Sequence, residues 1–269
     1  MKFYVDGIGL RGPGLPNWTT ARAVLAGCAP YQSAEVMLTT SDTLPPAERR
    51  RATDTVKLAI AVCSEAMHHA GACSATTPSV FASSGGDGAT ITAILENLAT
   101  PARELSPTRF HNSVHNAPAG YWSIATQSRA ASTTVCGYDA SFAVGLLEAT
   151  SQALSSNCSV LLAAYDLPYP PALHAVRPIA HGFGLGLVLS PYANVHSVAE
   201  CRMELTRDCG SATALADPML EALRVGNPAA RALSLLLVLA KRSSQTVLID
   251  YVSGQLLSVT LQPIAAPAP

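Results

Sequence analysis

The chain has 269 residues, enough for one large domain or two small ones with a sizeable core. Apolar residues make up 49% and charged residues only 13%, at a formal net charge of −1, which removes the electrostatic case for nucleic acid or an anionic membrane and points to apolar area covered by a partner. No apolar run reaches the ~20 residues of a membrane span, the N-terminus is too polar for a signal peptide, and the scattered cysteines, without paired spacing, read as reduced thiols of a cytoplasmic protein.

Residues 2–8 form a short strand candidate, and "PNWTTARAVLAG" follows as a helix capped by Asn17 and ended at Gly27. Residues 29–44 read as loop. "LPPAERRRATDTVKLAIAVCSEAMHHAG" is expected to be one long helix, started near Pro46 and stopped at Gly71, because Val56, Ala59, Ile60, Cys63 and Met67 recur at helical spacing. "PSVFASSGGDG" is a buried strand entering a glycine-rich turn, with "ATITAILENLA" as the next helix. "HNSVHNAPAGYWSIATQS" reads as helical despite Pro118 and Gly120. Residues 132–136 are a strand and 140–154 a helix; "SVLLAAYD" and "HGFGLGLVLSP" are further buried strands. Strand and helix alternate to about residue 190, the pattern of a layered α/β domain with a central mixed sheet. Beyond it "VHSVAECRMELT" alternates like a strand, 217–224 and 229–242 are helical, and "QTVLIDYV" and "QLLSVTLQ" pair as a hairpin around Ser253 and Gly254. "PIAAPAP" reads as a disordered tail, so the chain divides into 1–191, a shorter 192–263 and the tail 264–269.

"GIGLRG" matches a dinucleotide fingerprint, but the motif needs a helix opening at its third glycine, and the prolines of "PGLPN" block one there. His111 and His115 have the i, i+4 spacing of metal ligands without a third ligand nearby, so capping and core hydrogen bonds are the better reading. His68 and His69 sit at a helix C-terminus, where imidazoles suit the dipole. Arg49, Arg50 and Arg51 are a basic cluster: a solvated face, or a docking point for an acidic carrier protein or partner. No cofactor or metal is implied.

"TTVCGYDASF" carries the chemistry. A strand, a turn and a helix N-terminus can lower a cysteine's pKa and steady negative charge. With the helix starting near Ala140, Asp139 takes the N-cap and Cys136 stays on the strand, up to ~10 Å from the helix end. Cys136 is expected to be a buried strand residue, not a nucleophile.

Several stretches, in order, resemble the β-ketoacyl synthases of the thiolase superfamily: "FYVDGIGLRGPG" with "NWTTARAVLAG", "RRRATDTVKLAIAVCSEAMHHAG", "FASSGGDGATI", "HNSVHNAPAGYWSIA" and "HGFGLGLVLS". The resemblance covers residues 1–191 and implies a truncated thiolase-like α/β fold. Laid on the family's pattern, "VCGYDASFAVGL" puts Asp139 in the nucleophile slot, and the two histidine motifs of active members are missing after Pro191, where only His196 remains. The resemblance therefore implies a chain-length factor, an inactive homologue that pairs with an active ketosynthase. "LPPAERRRA" and "CGYDASFAVGLLEA" resemble the subunits of aryl polyene pathways, whose partner extends an acyl chain held on an acyl carrier protein. The family's dimers commonly pair the strand before the nucleophile helix, here 131–136. His115, Tyr121, Cys136, Tyr138, Asp139 and Phe142 are the implied interface or tunnel residues. For Tyr121, Tyr138 and Phe142 singly, core packing is the stronger reading. The rival function is a stand-alone acyl transferase with Cys136 as nucleophile and His115 as its base; a weaker one is a solitary scaffold that binds carrier protein through the three arginines.

Overall fold

All eight expected strands form: β1 (Lys2–Arg11), β2 (Ser79–Ala82), β3 (Ser132–Val135), β4 (Val160–Asp166), β5 (Phe183–Ser190), β6 (Ala199–Thr206), β7 (Gln245–Asp250) and β8 (Leu256–Pro263). The computed structural model describes residues 1–206 and 210–265; most of the expected tail, 266–269, lies outside them. The strands make one sheet in the order β3-β2-β4-β5-β1-β6-β8-β7. β3, β2 and β4 run parallel to one another, and every other pairing is antiparallel. The β1–β6 pairing, Lys2 opposite Arg202 through Val5 opposite Ala199, continues the sheet from the first 191 residues into the rest.

The helices are α1 (Trp18–Leu25), α2 (Pro46–Arg51), α3 (Asp54–Ala70), α4 (Gly88–Leu98), α5 (Pro107–Asn112), α6 (Ala117–Thr126), α7 (Ser141–Ser156), α8 (Pro171–His174), α9 (Pro218–Gly226) and α10 (Leu233–Lys241). Two buried clusters divide between the faces of the sheet. Leu161, Ala163 and Tyr165 of β4 pack with α3 and α6, while Val160, Leu162 and Ala164 join α7, α1 and α10. A strand covered on both faces needs apolar residues at every position, which is why β4 and β5 read as runs rather than alternations. Each large apolar side chain so buried contributes ~1.5–3 kcal/mol.

The glycines of "GIGLRG" have a packing role. A Cβ on Gly7 would lie 2.1 Å from the Ala66 carbonyl oxygen, and one on Gly9 equally close to that of Val62. α3 therefore rests on the backbone of β1, and β1 runs on to Arg11 instead of turning into a nucleotide-binding helix. Asn17 caps α1 as expected, accepting from the Thr20 amide at 2.8 Å.

Two helix expectations need correction. The single long helix is two: α2 ends at Arg51, Ala52 is extended, and Thr53 caps α3. The capping signal Thr53–Asp54 interrupts a pattern that helical periodicity alone would join. "HNSVHNAPAGYWSIATQS" is likewise divided, α5 ending at Asn112 and α6 restarting at Ala117, with Pro118 in its first turn, where the missing amide costs nothing.

Candidate functional site

The parallel strands β3, β2 and β4 end side by side, at Val135, Ala82 and Asp166. The carboxyl ends of neighbouring parallel strands are where α/β folds place ligands and chemistry, and the loops leaving them hold most of the candidate residues.

After β3 the chain turns sharply. Cys136 and Gly137 lead into a 3₁₀ turn over Tyr138–Ala140, and α7 begins at Ser141. Tyr138 has a φ of +55°, a left-handed conformation costing on the order of 1–2 kcal/mol in a residue with a Cβ. The Ser141 hydroxyl closes the turn, donating to the Tyr138 carbonyl at 2.7 Å and accepting from the Gly137 amide at 3.0 Å.

This geometry corrects two expectations. Cys136 is not a buried strand residue: it lies one position past β3, is exposed, and its thiol donates to the Ser84 carbonyl at 3.3 Å. Asp139 does not cap α7: Ala140 holds that position, without a side-chain cap. The Asp139 carboxylate is instead drawn between two guanidiniums, 2.8 Å from Arg177 Nη2 and 3.6 Å from Arg231 Nη2. Arg231 also meets Asp250, the last residue of β7, at 2.5 Å. Arg177 covers one face of Tyr138, its Cζ 3.4 Å from the ring centroid. Two opposite pairings in tandem outcompete the single backbone amide that an N-cap would satisfy.

A second group surrounds the "SSGGDG" turn after β2. Oδ1 of the buried Asp166 accepts from the Ser84 hydroxyl at 2.7 Å, the Ser84 amide at 2.8 Å and the Ser83 hydroxyl at 3.1 Å, while its Oδ2 has no partner among the described residues. Burial pushes its carboxyl up from 3.8 to about 6, against the opposing effect of those hydrogen bonds. His115 Nε2 lies 3.1 Å from the Ser83 carbonyl oxygen, which requires the ring N–H at that nitrogen. Cys136 and His115 thus both donate to carbonyls of one turn, and no hydrogen bond joins them to each other.

The remaining candidates fall elsewhere. Tyr121 is buried in the α3 layer, donating to Asn112 at 3.0 Å, and Phe142 is buried in the opposite layer. Arg49 ties down the preceding loop through Asp42 and the Leu44 carbonyl. Arg51 pairs with Glu48, while Arg50 is exposed. His111 and Tyr121 form a T-shaped ring pair, and His69 meets the Ile8 carbonyl at 2.6 Å. His196 packs at Gly71, the C-cap of α3. Among the described residues no cluster of His, Cys, Asp and Glu could hold a metal ion, and no helix is long and apolar enough to cross a membrane.

β3 is an edge strand, and among the described residues no strand pairs on its outer side. Beyond it, α5 and α6 border an apolar trough of about 470 Å³ between Phe110, Val114 and Ile124, all three exposed. Arg177, Arg231, Asp250, Ser141 and Asp166 have no place in the sequence reading. Ser141 finds its partners in the turn itself, at Gly137 and Tyr138; those of the other four come from distant segments, so no local spacing marks them.

Among solved structures, the complex of the ketosynthase ApeO with its chain length factor ApeC from Xenorhabdus doucetiae has a chain with 19% identity to this one and a TM-score of 0.72 over 97% of this chain and 99% of that one. A chain of the ishigamide ketosynthase/chain length factor has 16% identity and a TM-score of 0.73 over 98% and 100%. A chain of AntDE:AntF, a type II acyl-carrier protein in complex with its ketosynthase bound to the hexaketide, has 11% identity and a TM-score of 0.73 over 98% and 99%. At these identities the likeness is one of fold, and the fold is that of the thiolase-like ketosynthases. No curated protein matches the sequence. The family model of the β-ketoacyl synthase N-terminal domain matches residues 18–245, and with that match over most of its length the chain belongs to the β-ketoacyl synthase family.

Proposed function

We propose that this chain is the non-catalytic partner of an active β-ketoacyl synthase: a chain-length-factor-type subunit that forms a heterodimer in the cytoplasm and shapes the partner's acyl tunnel in type II polyketide synthesis, with an aryl polyene as the product class. The observation that carries this reading is the strand-to-helix turn. Where acyl transfer needs a thiolate it presents Tyr138 and a carboxylate held between Arg177 and Arg231. An aspartate so paired is a poor nucleophile, and the mixed anhydride it would form is a far less stable store than a thioester. The open edge of β3 beside an exposed apolar trough supports the partnership, since such an edge is a template for another chain's strand. The matched complexes contain ketosynthases with chain length factors and, in one case, a carrier protein, which supports the same arrangement here. With Arg49 paired to Asp42 and Arg51 to Glu48, the exposed Arg50 is the residue of the three best placed for carrier or partner docking.

One observation favours a second reading, a stand-alone acyl transferase: the Cys136 thiol is exposed at the carboxyl ends of the parallel strands. A single experiment separates the two. The purified chain, alone and co-expressed with a candidate partner ketosynthase, is incubated with acyl carrier substrate and weighed intact. A stable heterodimer with the acyl group on the partner only is the expected result. An adduct on this chain that Cys136→Ser abolishes would overturn it.

A further inference from the structure

The turn after β3 combines features that an ordinary surface turn does not need. Tyr138 is 61% exposed and holds a φ of +55°. Glycine or asparagine would take that conformation with less strain. One ring face is covered by Arg177, the guanidinium carbon 3.4 Å from the centroid. Arg177 is itself largely buried, pairs with Asp139, and through Asp139 reaches Arg231 and then Asp250 on β7. The backbone below the ring is pinned by Ser141. A brace that crosses from the far end of the sheet therefore immobilises one exposed aromatic side chain, three residues past the end of the open edge strand. Immobilising a ring before it meets a ligand removes the ordering cost from binding. A strained residue that its surroundings over-determine marks a place where position matters.

We infer that Arg177 is a positioning residue whose stack and ion pair hold Tyr138 as a rigid aromatic stop against the apolar end of the acyl chain growing in the partner's tunnel. This rests on the functional reading above and adds the specificity-determining pair. Asp139 and Arg231 are then parts of the brace, and the carboxylate at the turn has a mechanical use.

The test uses the heterodimer with its ketosynthase, carrier protein and malonyl donor, reading product lengths by mass spectrometry and heterodimer yield by size exclusion. Tyr138→Ala is expected to raise the ratio of longer to wild-type-length product by about tenfold, the scale of losing a well-packed aromatic contact. Arg177→Ala shifts lengths the same way, and the double variant shifts them no further than Tyr138→Ala. Tyr138→Phe keeps the wild-type distribution. Arg177→Lys, which keeps a charge for Asp139 and loses the planar stack, still shows the shift, and it stands in if Arg177→Ala does not fold. Unmoved product lengths in Tyr138→Ala and Arg177→Lys, with the heterodimer intact, would overturn the inference alone. A lower heterodimer yield in Tyr138→Ala with unmoved lengths would also overturn it, by making Tyr138 a protein contact. Failure of the unmutated chain to form the heterodimer would remove the functional reading and this inference with it.

Discussion

The two ends of the sheet are built to opposite specifications. At the β3 end the strands are parallel, helices cover both faces, and the outer edge is open. At the β7 end the strands are antiparallel and the outer edge is capped midway, at Leu248. Thr213 donates its amide to the Leu248 carbonyl at 2.8 Å and accepts from the Leu248 amide at 2.9 Å through its hydroxyl. Of the strands there, β6 buries only one face: Ala199, Cys201 and Met203 point inward, while Glu200, Arg202 and Glu204 point outward. A protein that blocks one edge against stray pairing and leaves the other free has a use for the free one.

The sharpest way to break that contrast is to close the open edge. Ala131 and Val135 give their carbonyls to β2, so by the two-residue period of the ladder those of Ser132 and Thr134, with the Thr134 amide, face outward. Thr134→Pro removes an outward donor and spares the pairing with β2. We expect loss of co-purification with the partner ketosynthase, while circular dichroism and the melting temperature of the free chain change little.

The packing difference is tested by two glycines. Gly9→Ala drives a methyl into the α3 backbone and should cost about 3 kcal/mol in chemical denaturation. Its counterpart toward the β7 side, Gly226→Ala at the end of α9, meets nothing within 4 Å and should be neutral or stabilising by about 0.5 kcal/mol.

Between these extremes lies the buried Asp166. Its folded value of about 6 stands above its ordinary 3.8, so the native state binds the proton more tightly than the unfolded one. Its contribution is therefore largest below pH 4, is lost as pH rises through about 6, and is flat beyond. The two values set a loss of up to about 3 kcal/mol across that window. Asp166→Asn should flatten a stability profile measured from pH 4 to 7. A wild-type profile already flat there would refute the assignment. A smaller effect, about 1 kcal/mol, is expected from Thr213→Val, which strips the Leu248 amide of its acceptor at the capped edge.

The contrast also explains what the sequence disclosed. β4 and β5 are legible as apolar runs because both faces are covered, and β6 is legible as an alternation because one is. Asn17 and Gly71 mark helix ends by local chemistry and behave accordingly. The break at Thr53 carried the same kind of signal, obscured by a periodicity that ran across it. The site was legible only as a location. Asp139 reads locally as an N-cap, because nothing near it in the chain reveals Arg177 and Arg231. Cys136 reads as buried because it continues a strand and a strand cysteine behaves as a small apolar residue, yet β3 stops one residue short of it at the sheet's edge. Tertiary charge pairing and edge position are the two things that periodicity does not encode.

The seam between β1 and β6 has a consequence for how the chain is made. β1 lies between β5 and β6 in the sheet, and both follow it by most of the length of the chain. During synthesis it must wait, apolar and unpaired, for partners that arrive late, a connectivity that slows folding. A chain halted before β6 docks would have two free edges instead of one, and the second is not meant for any partner. Cells making this subunit without its synthase would be expected to accumulate such species in aggregates, so the timing of partner synthesis bears on yield as directly as the sequence does.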